Sequence, residues 1–101
     1  MQEKIKQIIT NNPIVLFMKG TQQFPQCGFS SRAVEILYAC GCRDFLAVNV
    51  LEDELIREAV KQYADWPTLP QLYVNGKFIG GADIMSEMYK ARELQSLLEK
   101  V

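Results

Sequence analysis

Cys27 is the side chain best placed for chemistry in this sequence. It follows a run of five apolar residues, Ile14 to Met18, that predicts a buried strand, and it precedes an amphipathic segment that predicts a helix. The thiol therefore lies at a helix N-terminus, where unpaired backbone N–H groups and the helix dipole lower a thiol pKa. Lys19 adds a positive charge at the end of the strand. A thiolate in this setting attacks disulfides or binds metals.

Ser30 occupies the position that a second cysteine would hold in a Cys-x-x-Cys pair. In a dithiol oxidoreductase the second thiol attacks the mixed disulfide, and a hydroxyl cannot replace it in that step. Two functions remain open for Cys27: disulfide exchange that depends on an external thiol, or metal ligation. The sequence contains no histidine, which excludes Ser-His-Asp and Cys-His hydrolytic mechanisms in their usual forms.

The sequence around the other two cysteines, Cys40 and Cys42, gives less indication of a chemical role than the sequence around Cys27. Cys40 continues the apolar face of the predicted helix, where a buried free cysteine is common. Cys42 follows Gly41, past the helix end, and is expected to be a more exposed loop thiol. An odd number of cysteines in a small domain argues against a secreted disulfide framework. Whether either thiol has a redox role stays open.

The elements around Cys27 predict an α/β protein. Helical periodicity and strand-like runs alternate along the chain, and Asn75-Gly76 is a strong hairpin signal. The predicted order is α-β-α-β-α-β-β-α, a mixed four-stranded sheet flanked by helices, which matches the thioredoxin fold. Residues 1–101 are expected to form one domain. The predicted segments are helix 3–11, strand 14–18, helix 30–40, strand 45–50, helix 51–64, strands 71–74 and 77–79, and a last helix from Ile84 that Asp83 caps.

Composition excludes several classes of function. The net charge is −1 and no basic block is present, which argues against nucleic-acid binding. The apolar runs are too short to span a membrane. The first twelve residues are charged and amphipathic, unlike a signal or transit peptide. We therefore expect a cytoplasmic protein.

Four sequence words, MKGT, PQCGFS, WPTLPQLYVNG and GGADI, together resemble the monothiol glutaredoxins of the CGFS type. They occur in the expected order, and the resemblance extends from about Ile5 to Leu98. It implies a thioredoxin-fold glutaredoxin domain with Cys27 as its catalytic or metal-ligating residue. It also implies glutathione as a ligand and a role in iron–sulfur cluster carriage and iron homeostasis.

The resemblance implies a set of glutathione-binding residues. Lys19 is a natural partner for one carboxylate of glutathione, and Arg57 is assigned to a second carboxylate contact by family position alone. The backbone of Leu69 would pair with the peptide if Pro70 is cis, and the sequence leaves cis or trans open. Ala82 stands where the family often has Cys or Ser. Backbone N–H groups at Ala82 and Asp83 suit a carboxylate, and the Asp83 side chain suits an ammonium group.

Ligand counting shows how one thiol per chain could hold a cluster. A [2Fe–2S] cluster needs four ligands, usually thiolates. Two copies of Cys27 and two glutathione thiols complete the set, which implies a homodimer joined by the cluster. Two alternatives stay open: a glutathione-dependent thiol–disulfide oxidoreductase of low monothiol activity, and a protein-interaction module. The resemblance suggests BolA-like proteins and iron–sulfur acceptor proteins as partners.

Overall fold

Four strands form one mixed sheet, and helices cover both of its faces. The computed structural model describes residues 1–101. A short 3-10 turn, Val50–Glu52, follows the second strand. The elements are α1 (Gln2–Asn11), β1 (Ile14–Met18), α2 (Gly28–Ala39), β2 (Leu46–Asn49), α3 (Glu54–Ala64), β3 (Gln71–Val74), β4 (Lys77–Gly80), α4 (Ala82–Lys90) and α5 (Glu93–Glu99).

The strands lie in the order β2-β1-β3-β4, which confirms the predicted thioredoxin fold. β1 pairs in parallel with β2 and antiparallel with β3, and β3 and β4 form an antiparallel hairpin. The turn residues Asn75 and Gly76 both have positive φ, at 51° and 79°, as the Asn-Gly signal predicts. Because β1 is an inner strand of the sheet, the loop that follows its C-terminal end begins near the middle of the sheet edge.

The alternating side chains of β1 supply two separate cores. Leu16 and Met18 pack with α2, α4 and α5 on one face, whereas Val15 and Phe17 pack with α1 and α3 on the other. All five residues of the strand are buried. This two-sided burial is the physical reason for the unbroken apolar run in the sequence.

Several helix ends differ from the sequence prediction. The helix predicted to begin at Leu51 begins at Glu54, because the Asp53 side chain caps it by accepting the N–H groups of Leu55 and Ile56. The last helical region is two helices, because Arg92 has φ +63° and separates α4 from α5. The prediction that Asp83 caps the last helix is wrong: α4 begins at Ala82 with Gly81 as its N-cap, and no side chain caps it. Asp83 lies inside the first turn instead. Its carboxylate is therefore free for contacts outside the helix.

As predicted, Gly41 closes the C-terminal end of α2, and its φ is +80°. The N–H groups of Gly41 and Cys42 donate to the carbonyls of Tyr38 and Leu37 at 2.9 Å each. This is the Schellman arrangement, in which a glycine allows the chain to leave the helix.

A tight loop between β1 and α2 returns the chain to the end of the strand. The Gln26 N–H donates to the Lys19 carbonyl at 2.9 Å, and Gly20 forms an isolated β-bridge with Pro25. The Gly20 N–H donates to Asn49 Oδ1 at 2.9 Å, which ties the loop to the end of β2. These bonds fix where Cys27 emerges.

Gly20 is required by this loop, and its replacement is expected to be costly. Its φ is +96°, and an added Cβ would lie 2.5 Å from the Phe24 oxygen and 2.6 Å from the Gln26 nitrogen. Gly20→Ala should lower the free energy of unfolding by about 2 kcal/mol or more. Gly28→Ala is the matched control, because a Cβ there meets nothing within 4 Å. Equal denaturation midpoints for the two variants would contradict this account of the loop.

Candidate functional site

Cys27 is the N-cap residue of α2 and lies partly exposed beside a cleft. Its carbonyl accepts the Ser31 N–H at 2.9 Å, which begins the helix. Its side chain makes no hydrogen bond of capping geometry, and the sulfur lies beside the backbone N–H groups of the first turn. The structure therefore confirms that the thiol lies at a helix N-terminus.

The surroundings of Cys27 lower the pKa of its thiol. The largest cause is the backbone N–H of Ser30, whose dipole favours the charged sulfur, and the Phe29 N–H, the Lys19 charge and the Ser30 hydroxyl act in the same direction. Partial burial opposes them, but the lowering prevails. The thiolate is thus favoured by oriented backbone groups more than by the nearby lysine.

Ser30 also fixes the position of the sulfur relative to the sheet. Its side chain is fully buried, and its hydroxyl oxygen accepts the Lys19 N–H at 3.1 Å. This bond ties the start of α2 to the end of β1. The residue that replaces the resolving thiol is therefore a structural link.

The cleft next to Cys27 has a volume of about 360 Å³, the size of a small-ligand site. Five of the six site residues named from the sequence line it: Lys19, Cys27, Leu69, Ala82 and Asp83. The remaining lining residues come from the loop before β3 and the starts of α2 and α4, with one lysine from α3. They are Phe29, Lys61, Trp66, Pro67, Thr68, Pro70, Gly81 and Ile84.

The wall formed by the loop before β3 presents a bare peptide group. The Leu69–Pro70 bond is cis, which answers the question that the sequence left open. Neither the N–H nor the C=O of Leu69 makes a hydrogen bond within the chain. The fully buried Gln71 holds this loop by donating from Nε2 to the carbonyls of Trp66 and Thr68, at 3.2 and 3.3 Å. A peptide-like ligand could pair with Leu69 as an added strand.

Arg57 is the one named residue that does not line the cleft. It lies on α3 one turn before Lys61, and its Nε is buried without a hydrogen-bond partner. Lys61 lines the cleft in its place, with Nζ 3.7 Å from Glu58 Oε1. The spacing of four residues between Arg57 and Lys61 puts both cations on one helix face. That spacing was the signal that sequence reasoning missed.

The opposite wall is the N-terminus of α4. N–H groups in a first helical turn have no partner within the helix, and here they belong to Ala82 and Asp83. The Asp83 carboxylate receives a hydrogen bond from Arg32 Nη1 at 3.2 Å. Trp66 Nε1 is buried without a partner, 3.5 Å from the point where a Cβ on Gly81 would lie. This wall thus offers several donors and one carboxylate.

Cys40 and Cys42 are remote from Cys27. They follow the far end of α2, whose twelve residues span about 18 Å. Burial raises the pKa of both thiols, with the Cys42 thiol adding to the rise at Cys40 and Asp44 to that at Cys42. Neither can resolve a disulfide on Cys27 within one chain without unfolding the helix.

No group of three or more His, Cys, Asp or Glu side chains in the chain is arranged to hold a metal ion. No helix has the length and apolar character needed to cross a bilayer.

The glutaredoxin family model matches residues 14–79. The chain belongs to the glutaredoxin family. It is similar to a ycf64-like monothiol glutaredoxin of Synechocystis, with 51% identity over 96 residues that make up 95% of this chain and 89% of the relative. The resemblance to monothiol glutaredoxins seen in the sequence is thereby confirmed.

Two solved glutaredoxin structures share this fold. The reduced apo form of poplar GrxS14 has a TM-score of 0.83 and 49% identity, over 98% of this chain and 90% of that one. A buckwheat glutaredoxin–glutathione complex has a TM-score of 0.85 and 26% identity, over 98% of this chain and 87% of that one. The same fold therefore occurs in a relative that holds glutathione.

The thiol environments predict selective alkylation of Cys27. With iodoacetamide, the pH at half-maximal rate should be lower for Cys27 than for Cys40 or Cys42, as peptide mass spectrometry can measure. Lys19→Gln should slow the reaction of Cys27 at neutral pH, because it removes a charge that favours the thiolate. Lys77→Gln, an equal loss of charge at the exposed first residue of β4, is the control. Faster alkylation of Cys42 than of Cys27 would contradict the assignment.

Proposed function

We propose that this monothiol glutaredoxin binds glutathione in the cleft and carries a [2Fe–2S] cluster between two copies of itself. Its role would be iron–sulfur cluster carriage and assembly, and through it iron homeostasis. The observation that carries the proposal is the Cys27 thiol, which favours the thiolate, faces a tripeptide-sized cleft and has no second thiol within reach. Such a thiol is suited to act as a ligand of a cluster that the protein must bind and later release.

Glutathione fits the chemistry of the cleft. It carries two carboxylates, one ammonium group and a central cysteine with a free peptide backbone. In the proposed mode, Lys19 and Lys61 attract one carboxylate. Arg57 lies on the same face of α3 as Lys61 and adds a further positive charge near that carboxylate. The central cysteine pairs with the backbone of Leu69, which sets its thiol beside Cys27. The second carboxylate meets the N–H groups of Ala82 and Asp83, and the ammonium group meets the Asp83 carboxylate.

The cluster is cargo in this proposal, and the donor set of the chain fits it only in part. Each chain contributes one thiolate, whereas a [2Fe–2S] cluster takes four ligands. Two chains and two glutathione molecules complete the four. Exposed apolar side chains beside the site support pairing: Phe24 is 74% exposed and Phe29 58%. Iron–sulfur acceptor proteins would receive the cargo, and a BolA-like protein would replace one copy in a mixed complex.

We further propose that the 101 residues act as one domain in the cytoplasm. The support for a single domain is that the N-terminal residues fold as α1 and pack against β1 and α3.

A second candidate function is the removal of glutathione from protein thiols. The Cys27 thiolate would attack the glutathione sulfur of a mixed disulfide, releasing the protein thiolate and forming a Cys27–glutathione disulfide. A free glutathione thiolate would then attack that bond, releasing glutathione disulfide and restoring Cys27. The lowered pKa of Cys27 favours the first step. The second step depends wholly on external thiol, since Cys40 and Cys42 are at the far end of α2.

Anaerobic reconstitution with iron, sulfide and glutathione tests the cluster proposal. Native mass spectrometry should show two chains, two glutathione molecules and one [2Fe–2S] unit, with visible absorbance that is lost without glutathione. Cys27→Ser should abolish binding, because it removes the only thiol contributed by each chain. The double variant Cys40→Ser/Cys42→Ser, which loses two thiols away from the cleft, is the control and should bind normally. Full iron binding by Cys27→Ser would refute the proposal.

The alternative function predicts a distinctive dependence on glutathione. Turnover of a glutathionylated peptide should rise in proportion to glutathione concentration, because release from Cys27 needs an external thiol. The double variant lacking Cys40 and Cys42 should keep the wild-type rate within about twofold. A turnover rate independent of glutathione concentration would mean that an internal thiol resolves the intermediate.

A further inference from the structure

One ion pair joins two elements at the mouth of the cleft. Arg32 Nη1 on α2 lies 3.2 Å from Asp83 Oδ1 on α4. The other ion pair of the chain, Lys61 with Glu58, lies within α3. The side chains of Arg32 and Asp83 are 51% and 85% exposed, and pairs this open contribute little to stability. A role for the pair is therefore better sought in the cleft than in the fold.

The two members of the pair differ in their relation to the cleft. Asp83 lines it, whereas Arg32 stands behind Asp83 on the neighbouring helix. Only Nη1 of the Arg32 guanidinium is hydrogen-bonded, which leaves other N–H donors available. The Asp83 Oδ2 atom likewise has no hydrogen-bond partner. A ligand at this end thus meets the Asp83 carboxylate, with the Arg32 cation bonded to that carboxylate and able to act on the ligand's charges.

An isolated aspartate here would recognise only part of the ligand. The γ-glutamyl end of glutathione carries an ammonium and a carboxylate on the same carbon atom. Asp83 alone attracts the ammonium but repels the carboxylate, and the N–H groups of α4 only partly offset that repulsion. Arg32 cancels the repulsion and adds donors for the carboxylate.

We propose that Arg32 is a specificity-determining residue that makes the Asp83 end of the cleft a zwitterion site, selective for a free α-amino acid group. The inference rests on the proposed function, in which glutathione occupies the cleft. It assigns each charge of the pair to the opposite charge of the γ-glutamyl group. At the other end of the cleft, Lys19 and Lys61 outnumber the single carboxylate of Glu58 that pairs with Lys61, so that end suits a lone carboxylate and the two ends together give the ligand its direction.

Two analogues of glutathione separate the two contacts. In 4-aminobutanoyl-cysteinylglycine the α-carboxylate is absent, and in glutaryl-cysteinylglycine the ammonium is absent. Both keep the cysteinylglycine part that would meet Leu69 and Lys19. Dissociation constants for glutathione and both analogues would be measured by amide chemical-shift titration of the metal-free, reduced protein. The proteins are wild type, Arg32→Gln, Arg32→Lys and Asp83→Asn, with Arg43→Gln as control.

Wild type should prefer glutathione to each analogue by roughly three- to tenfold, as expected for an exposed charge-assisted contact. Arg32→Gln should lose at least half of the preference over the analogue without the carboxylate and keep the preference over the analogue without the ammonium. Asp83→Asn should show the reverse pattern, and Arg32→Lys should recover part of the wild-type preference. Arg43 stacks on Tyr38 toward the far end of α2, so Arg43→Gln, an equal loss of charge, should leave both preferences unchanged.

The possible failures are distinguishable. If wild type binds glutathione but Arg32→Gln keeps both wild-type preferences, the role of Arg32 is refuted and the proposed function stands. If wild type shows no glutathione binding in the cleft, the proposed function fails and the inference fails with it. The amide spectra of the variants report directly whether each is folded.

Discussion

The site depends on one residue, Ser30, which links the sheet to the thiol through its hydroxyl group and its backbone N–H. Its buried hydroxyl accepts the Lys19 N–H at the end of β1, and its own N–H stabilises the Cys27 thiolate. A cysteine at this position would offer a resolving thiol, whereas serine offers a fixed oxygen. The residue that supplies no redox group therefore helps to place the thiol that does. With Cys27 as the one thiol at the cleft, disulfide exchange there would need an external thiol.

The two faces of the cleft are built by different means, and this explains their different chemistry. In the loop before β3 the N–H and C=O of Leu69 make no hydrogen bond within the chain, whereas Gln71 satisfies the carbonyls of Trp66 and Thr68. The opposing face uses the unpaired N–H groups at the start of α4. One face is suited to the backbone of a peptide and the other to its charged end. A short peptide with a thiol fits between them.

The sequence allowed most of the fold and the centre of the site to be predicted, because local patterns determine them. The apolar run of β1, the Asn75-Gly76 turn and the glycine after α2 each act within a few residues. The features that were not predicted are contacts between residues distant in the sequence and the directions in which side chains point. Nothing local indicates that Arg32 would reach Asp83, fifty-one residues away. The four-residue spacing of Arg57 and Lys61 indicates a shared helix face, but not that Lys61 would be the one to line the cleft. The break at Arg92 also escaped prediction, because a positive φ at arginine has no sequence signal.

The most direct test of the central claim is a crystal structure of the reduced protein with glutathione. The account predicts the tripeptide in the cleft, with its cysteine backbone hydrogen-bonded to the N–H and C=O of Leu69 and its sulfur beside Cys27. Glutathione bound elsewhere on the molecule, or bound in the cleft with its sulfur turned away from Cys27, would contradict it.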